Sequence, residues 1–329
     1  MKKLINAPQD VEEEMLRGIV KANPRHLARL EGHPVIVRKQ KKQGKVAIVS
    51  GGGSGHEPAH AGYVGTGMLD AAVLGAVFTS PTPDQVYEAA KAVDTGTGTL
   101  FIIKNYTGDV MNFEMAMDMA ADDGLQVERV IVNDDVAVKD SLYTTGRRGV
   151  AGTVLVHKIA GAKAETGASL AEVKAAAEKA IANVRSMGMA IAPCTVPAAG
   201  KPGFVLAEDE MEIGIGIHGE PGTHRTKMQT ANEIAKTLLD RILADLDYRN
   251  HEVVCMVNGM GGTPLMELFV LNDFVQDYLS QQGVKVYDTM VGNFMTSIEM
   301  QGFSLTLLRL DEELKALYNA PVQTLAWRK

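Results

Sequence analysis

Residues 56–60, His-Glu-Pro-Ala-His, place two histidines around a glutamate at the spacing of the zinc hydrolase motif H-E-x-x-H. That chemistry requires both imidazoles on one face of a continuous helix, with the glutamate as general base. Pro58 removes a helical N–H and disfavours helical geometry at Glu57, and the glycines upstream make His56 a loop residue. No metal site is expected here. The run that leads into it, VAIVSGGGSG over 46–55, offers different chemistry. A buried-strand pattern enters a backbone with almost no side chains, which can bring its N–H groups close to a phosphate or polyol oxygen. Pro58 stands where a helix could begin, and a helix N-terminus favours the same oxygen-rich ligands.

Two further loops carry reactive side chains. Residues 103–109, Ile-Lys-Asn-Tyr-Thr-Gly-Asp, follow an apolar strand pattern and end where a helix begins. Ligands of doubly wound sheets lie beyond the carboxyl ends of the strands, so this loop and the glycine loop are expected to face one crevice. Asp109 reads as the N-cap of a helix from Val110, a role compatible with chemistry. Lys104, at the strand end, is placed to hold a polar substrate oxygen unless it is simply solvated. The third loop is IGIGIHGEPG, residues 213–222. Gly214, Gly216 and Gly219 match G-x-G-x-x-G, but the first two alternate with isoleucines inside a strand and Pro221-Gly222 sits where the binding helix should start. A dinucleotide site is therefore not expected. His218, at the end of that strand and close to Gly216 and Gly219, presents an imidazole open to a reactant, with a hydrogen-bonded structural histidine as the alternative.

These loops need a scaffold, and composition bounds it. With 329 residues, 46% hydrophobic and 22% charged, the chain can build two domains with substantial cores. A formal charge of −7 argues against a nucleic-acid partner. The one basic run, RKQKKQGK over 38–45, lies between β-rich runs at 34–37 and 46–49 and reads as a solvated hairpin turn. No apolar run approaches the length needed to span a bilayer, and residues 1–20 are too acidic for a signal peptide, so a cytoplasmic protein without membrane contact is expected. Cys194 and Cys255, without C-x-x-C spacing, suit a reducing compartment and give no disulfide or cysteine metal site.

Strand patterns fall at 46–49, 71–77, 99–103 and 127–132, with helical patterns at 84–93 and 110–123, the latter closed by Gly124. Ser169 and Glu172 form a capping box that opens a helix running to about Met187, with Gly188 just past its end. Beyond it, strands at 189–195, 212–218, 252–257, 285–288 and 304–310 alternate with helices at 230–246 and 265–282. The expected architecture is two α/β domains, each a mostly parallel or mixed sheet flanked by helices. The N-terminal domain, 1–186, carries the pocket loops, and the C-terminal domain, 187–329, supplies His218. No fixed-period repeat is evident.

Together, GGGSGHEP, the KNYTGD loop and GIGIHGEPG resemble the dihydroxyacetone kinase family, specifically its substrate-binding K subunit, over essentially the whole chain. The resemblance implies that His218 binds the carbonyl of dihydroxyacetone covalently as a hemiaminal. It implies that His56 and Asp109 act on the hydroxyl that receives the phosphoryl group, and that Gly53, Ser54 and Lys104 line the substrate pocket. The sequence has no G-x-x-x-x-G-K-[ST] loop and no kinase catalytic set, so no cofactor is expected on this chain. ATP-dependent members of the family carry a nucleotide-binding domain after the K region, whereas this sequence stops at Lys329. The resemblance thus implies a K subunit, usually a homodimer, served by a separate L subunit that holds ADP or ATP with Mg²⁺. That L subunit would be recharged by the M protein of a phosphotransferase system. The competing expectations are a non-catalytic paralogue that binds dihydroxyacetone and serves a transcription regulator, and a zinc hydrolase built on HEPAH.

Overall fold

The computed structural model describes residues 2–140 and 144–329. A 3₁₀ turn at Pro8–Asp10 leads into α1 (Val11–Ala22), followed by β1 (Leu27–Arg29), β2 (Val35–Arg38), β3 (Ala47–Ser54) and β4 (Ala71–Val77). Then come α2 (Pro83–Val93), β5 (Thr99–Lys104), α3 (Thr107–Asp122) and β6 (Val127–Val132). These strands form one six-stranded sheet in the order β1-β2-β4-β3-β5-β6, parallel from β4 to β6 and antiparallel at β1 and β2.

Two helices, α4 (Thr153–Glu165) and α5 (Leu170–Asn183), lead to β7 (Val184–Ala192), β8 (Glu210–Ile213) and β9 (His224–Lys227). α6 (Ala231–Asp245), β10 (Glu252–Gly259), α7 (Leu265–Gln281), β11 (Lys285–Gly292), β12 (Gln301–Leu310) and α8 (Glu312–Asn319) complete the chain. The second sheet, β11-β10-β12-β7-β8-β9, is parallel only between β10 and β11.

Strand alternation explains the layers. In β10, Val253, Cys255 and Val257 face Leu238, Ile242 and Val275 of α6 and α7, whereas Val254 and Met256 face inward. The inner cluster joins Ile48 and Leu100 of the first sheet, Val154 and Val173 of α4 and α5, and Leu308 and Leu317 near the C-terminus. Helices therefore lie between the two sheets, and α2 and α3 cover the far face of the first through Val86, Ala89, Phe113 and Ala116. The central strands β3, β4, β5, β10 and β12 are covered on both faces, which is why they read as nearly continuous apolar runs. Capping boxes at Thr82–Gln85, Ser169–Glu172 and Thr230–Glu233 start α2, α5 and α6. Among the described residues no helix is long and apolar enough to cross a membrane.

Several elements differ from expectation. α5 ends at Asn183, not near Met187, because Val184 to Met187 pair with β12, so Gly188 lies inside a strand instead of capping a helix. The same strand, β7, runs across the expected boundary at 186/187. The basic run is no hairpin, since β4 lies between β2 and β3. Its charges meet acids instead: Arg38 contacts Asp70 and Glu165, and Lys45 contacts Asp70. The helix α4 gave no periodic signal because it is buried on nearly every side and has no polar face.

Candidate functional site

β3 and β5 are parallel neighbours, so the chain leaves both toward one end of the first sheet. After β3 no α-helix begins: residues 57–60 turn and Ala61–Tyr63 form a single 3₁₀ turn, correcting the helix start expected at Pro58. His56 and His60 therefore share no helix face. Among the described residues no group of three or more histidine, cysteine or acidic side chains is placed to hold a metal. The glycine run also has a packing reason. A Cβ on Gly53 would lie 2.5 Å from the Thr79 nitrogen and 2.7 Å from Phe78 Cα, so glycine lets residues 78–80 close over the strand end.

That closure forms one wall of a cavity of about 320 Å³, lined by Gly53, Phe78 and Ser80. Tyr106, Gly108 and Asp109 supply a second wall from the β5–α3 junction, and His218 and Glu220 a third from the loop after β8. The three loops singled out in the sequence thus converge. Two local expectations change. α3 starts at Thr107 with Tyr106 at the N-cap, so Asp109 is not the cap, and its Oδ1 instead accepts a hydrogen bond from the Ser80 hydroxyl. β8 stops at Ile213, which puts His218 in a turn beyond the strand, and no helix follows Gly219 as a dinucleotide site would require.

His218 is held from one side. Its Nδ1 lies 2.7 Å from Glu220 Oε1, and Glu220 Oε2 accepts the His218 backbone N–H at 2.9 Å. Burial of Glu220 opposes its charge, but the His218 imidazole and the Arg148 guanidinium outweigh it and hold the carboxyl down at about 2. A carboxylate only accepts, so Nδ1 carries a proton, and in the neutral imidazole Nε2 is the nitrogen with the lone pair. The imidazole is boxed by the rings of Tyr106, His56 and Phe78, with centroids at 4.6, 4.8 and 5.3 Å.

His56 has a complementary arrangement. Its Nδ1 lies 2.8 Å from the Thr296 carbonyl and must donate, leaving Nε2 as a buried acceptor without a partner among the described residues. Burial, reinforced by the charge of Lys104 and by His218 whenever that ring is protonated, holds its pKa well below the usual histidine range, so it is a neutral base near pH 7. Lys104 is fully buried, and its Nζ also finds no partner among the described residues. Its pKa is lowered by burial, against the pull of Asp109 and Glu220. The Ser54 hydroxyl is given to the Gly75 carbonyl at 2.7 Å. The cavity itself is lined by the His218 imidazole and the Asp109 carboxylate, whereas His56, Ser54 and Lys104 lie behind its lining, His56 with its ring centroid 4.8 Å from that of His218.

Sequence reasoning passed over Phe78, Ser80, Tyr106 and Glu220. Only Glu220 left a signal, two residues after His218. It also passed over His157, on the apolar helix α4, whose Nε2 lies 2.9 Å from His60 Nδ1. Burial keeps His56, His60 and His157 neutral, the last down at about 3. The unfolded chain protonates its histidines near ~6.5, so below that pH it binds more protons than the folded one and stability is lost. Urea unfolding between pH 7 and 5 should reveal this loss, at up to about 1.4 kcal/mol per pH unit for each histidine. His157→Gln should flatten the slope by about one proton. An unchanged slope would contradict the assignment.

A larger cleft of about 930 Å³ opens beside β6 and α5. Its arginines and Lys174 are already matched: Arg147 and Arg185 bind Asp245, Lys174 binds Glu128, and Arg129 binds Glu114. The reactive groups lie in the smaller cavity.

The Dak1 domain family matches residues 17–326. A protein of Listeria innocua serovar 6a, the dihydroxyacetone-binding subunit DhaK of a PTS-dependent dihydroxyacetone kinase 1, is 57% identical over 329 residues, covering 99% of this chain and 100% of its own. Among solved structures, the dihydroxyacetone kinase operon co-activator Dha-DhaQ superposes with a TM-score of 0.91 at 39% identity, over 96% of this chain and 98% of its own. The dihydroxyacetone kinase from C. freundii in complex with AMP-PNP and Mg²⁺ gives a TM-score of 0.92 at 36% identity, over 99% of this chain and 61% of its own.

Proposed function

The chain belongs to the Dak1 domain family, and on that premise we propose that it is the dihydroxyacetone-binding subunit of a phosphotransferase-system-dependent dihydroxyacetone kinase. The observation that carries the reading is the pairing of His218 Nδ1 with Glu220 in a cavity shared with Asp109 and edged by His56. Nε2 of His218 attacks the ketone carbon, a C–N bond forms, and the carbonyl π pair moves to oxygen, which takes one proton from solvent. The positive charge left on the imidazole is matched by the Glu220 carboxylate. Glycerol has no carbonyl, so capture selects against an abundant polyol that hydrogen bonding alone rejects poorly. It also fixes one hydroxymethyl group for reaction. His56 and Asp109 then take the proton of that hydroxyl as it attacks phosphorus, while Gly53, Ser54 and Lys104 shape and polarise the pocket.

The phosphoryl group comes from a nucleotide-bearing L subunit, recharged by a phosphotransferase-system M protein in the cytoplasm. Support comes from the Listeria relative, named as a subunit of a PTS-dependent kinase and covered over its full length, and from the absence of a P-loop in the sequence. ADP or ATP and Mg²⁺ reside on that partner, which docks over the mouth between Gly53, Asp109 and His218. The K subunit itself is a homodimer.

A second reading, a dihydroxyacetone-binding co-activator, is favoured by the likeness to Dha-DhaQ. Both readings expect capture of the ketose, and only the first expects phosphoryl transfer. The isolated chain should neither bind ATP nor form product, and steady turnover should begin on addition of an L subunit and its phosphoryl donor. Capture without turnover in the complete mixture would favour the co-activator. Turnover by the chain alone would overturn the division of labour.

A further inference from the structure

Behind His218 lies a layer of charge that the reaction does not touch. Arg148 is fully buried; its Nε donates to Asp135 Oδ2 at 2.7 Å and its Nη2 to the Gly214 carbonyl at 2.7 Å. Its Nη1 has no partner among the described residues, and Glu220 lies near enough to feel its charge without an ion pair between them among the described residues. A Cβ on Gly216 would sit 2.0 Å from Glu220 Oε2 and 2.8 Å from Arg148 Nη1, so glycine at 216 is what lets carboxylate and guanidinium close over the loop. Asp135 is itself tied down, with Oδ1 accepting from the Ala137 N–H at 2.9 Å and its own N–H bonded to the Arg148 carbonyl at 3.1 Å. Asp135 and Arg148 come from the segment between β6 and α4, whereas Glu220 and His218 come from the loop after β8. One part of the chain therefore sets the electrostatics of a histidine supplied by another.

We propose that Arg148, held by Asp135, is a positioning residue that keeps Glu220 an acceptor and so fixes His218 as the Nδ1–H tautomer with Nε2 open to a carbonyl carbon. The proposal rests on the reading of His218 as the nucleophile.

The chemistry follows from burial. A carboxyl buried as Glu220 is takes up a proton unless a cation answers its charge. A protonated Glu220 could donate to Nδ1, which would then have to be the unprotonated nitrogen, and the proton would sit on Nε2 where the substrate must bond. The other ionisable groups that face this pair are His56, Tyr106, Lys104 and Asp109. Of these only Lys104 is a potential cation near Glu220, and burial weakens its hold on a proton. The guanidinium cannot be deprotonated in a protein, which makes Arg148 the dependable charge. Its bond to the Gly214 carbonyl also anchors the start of the loop that carries His218.

The test is nitrogen-resolved NMR of ¹⁵N-histidine-labelled, ligand-free protein, combined with calorimetric titration of dihydroxyacetone. Wild type should carry the Nδ1–H tautomer at His218 near pH 7. Arg148→Met should populate the Nε2–H tautomer near pH 7 and weaken binding at least tenfold. Arg148→Lys should restore the tautomer and most of the affinity. Asp135→Asn removes an anion from beside the guanidinium, so it should leave Glu220 ionised and the Nδ1–H tautomer in place, and it serves as the control for loss of the Arg148 charge. A folded Arg148→Met variant with the wild-type tautomer and affinity would overturn the proposal, whatever its melting temperature. So would an Nε2–H tautomer in the wild type, a measurement that needs no variant to fold. Because the tautomer is read without ligand, it stands apart from the failure of covalent capture itself.

Discussion

Replacing His218 by alanine should reduce dihydroxyacetone binding at least about 100-fold, equivalent to about 2.7 kcal/mol, while leaving the fold intact. The size follows from what would remain. Without the nucleophile the cavity offers a small polyol only hydrogen bonds, each exchanged against water and so worth about 1 kcal/mol net. The proposed C–N bond is a contribution that hydrogen bonds to water do not replace. His218 is partly exposed in a turn beyond β8 and belongs to none of the large apolar clusters, so its loss should cost little stability. Calorimetric titration, with thermal unfolding as a control, measures both quantities. Near-native affinity in a folded His218→Ala protein would mean that recognition resides elsewhere in the cavity.

The second large effect separates chemistry from binding. His56→Ala and Asp109→Asn should lower kcat by about 10²- to 10⁴-fold, the usual contribution of general acid–base catalysis, with little change in ligand affinity. His56 has the free acceptor that a base needs, because the Thr296 carbonyl occupies Nδ1 and burial keeps Nε2 unprotonated. Asp109 can be tested cleanly, since its isosteric amide cannot be excused as a helix cap: the N-cap is Tyr106, and the Asp109 carboxylate instead binds the Ser80 hydroxyl. Single-turnover assays with the L subunit would give the numbers. Normal turnover in Asp109→Asn would reduce Asp109 to a clamp on Ser80.

The site was more legible than the scaffold around it. Glycine runs and a histidine near glycines mark places where backbone approaches backbone or a ligand, and such places are dictated by local sequence. Gly53 and Gly216 both fit that pattern, since neither tolerates a Cβ against Phe78 and Thr79 or against Glu220 and Arg148. The rest depended on contacts between distant segments. Ser80, Phe78 and Tyr106 have ordinary sequence surroundings and gain meaning only when β3 and β5 lie side by side. Arg148 and Asp135 look like surface charges until the chain buries them together. Helix α4 escaped notice because periodicity needs a polar face, and a helix packed between two sheets has none. β7 was misread at its start because residues of modest strand preference are recruited by β12, an effect of tertiary pairing on local preference.

The central claim is a bond between His218 and the substrate, and isotope-edited NMR tests it directly. Dihydroxyacetone labelled with ¹³C at its carbonyl carbon, added to ¹⁵N-histidine-labelled protein, should lose its ketone resonance and gain a tetrahedral carbon coupled to the Nε2 nitrogen of His218. Hydration of the ketone also gives a tetrahedral carbon, but without coupling to nitrogen. A bound ligand that remains a ketone or a hydrate, with no ¹³C–¹⁵N coupling, would contradict the account.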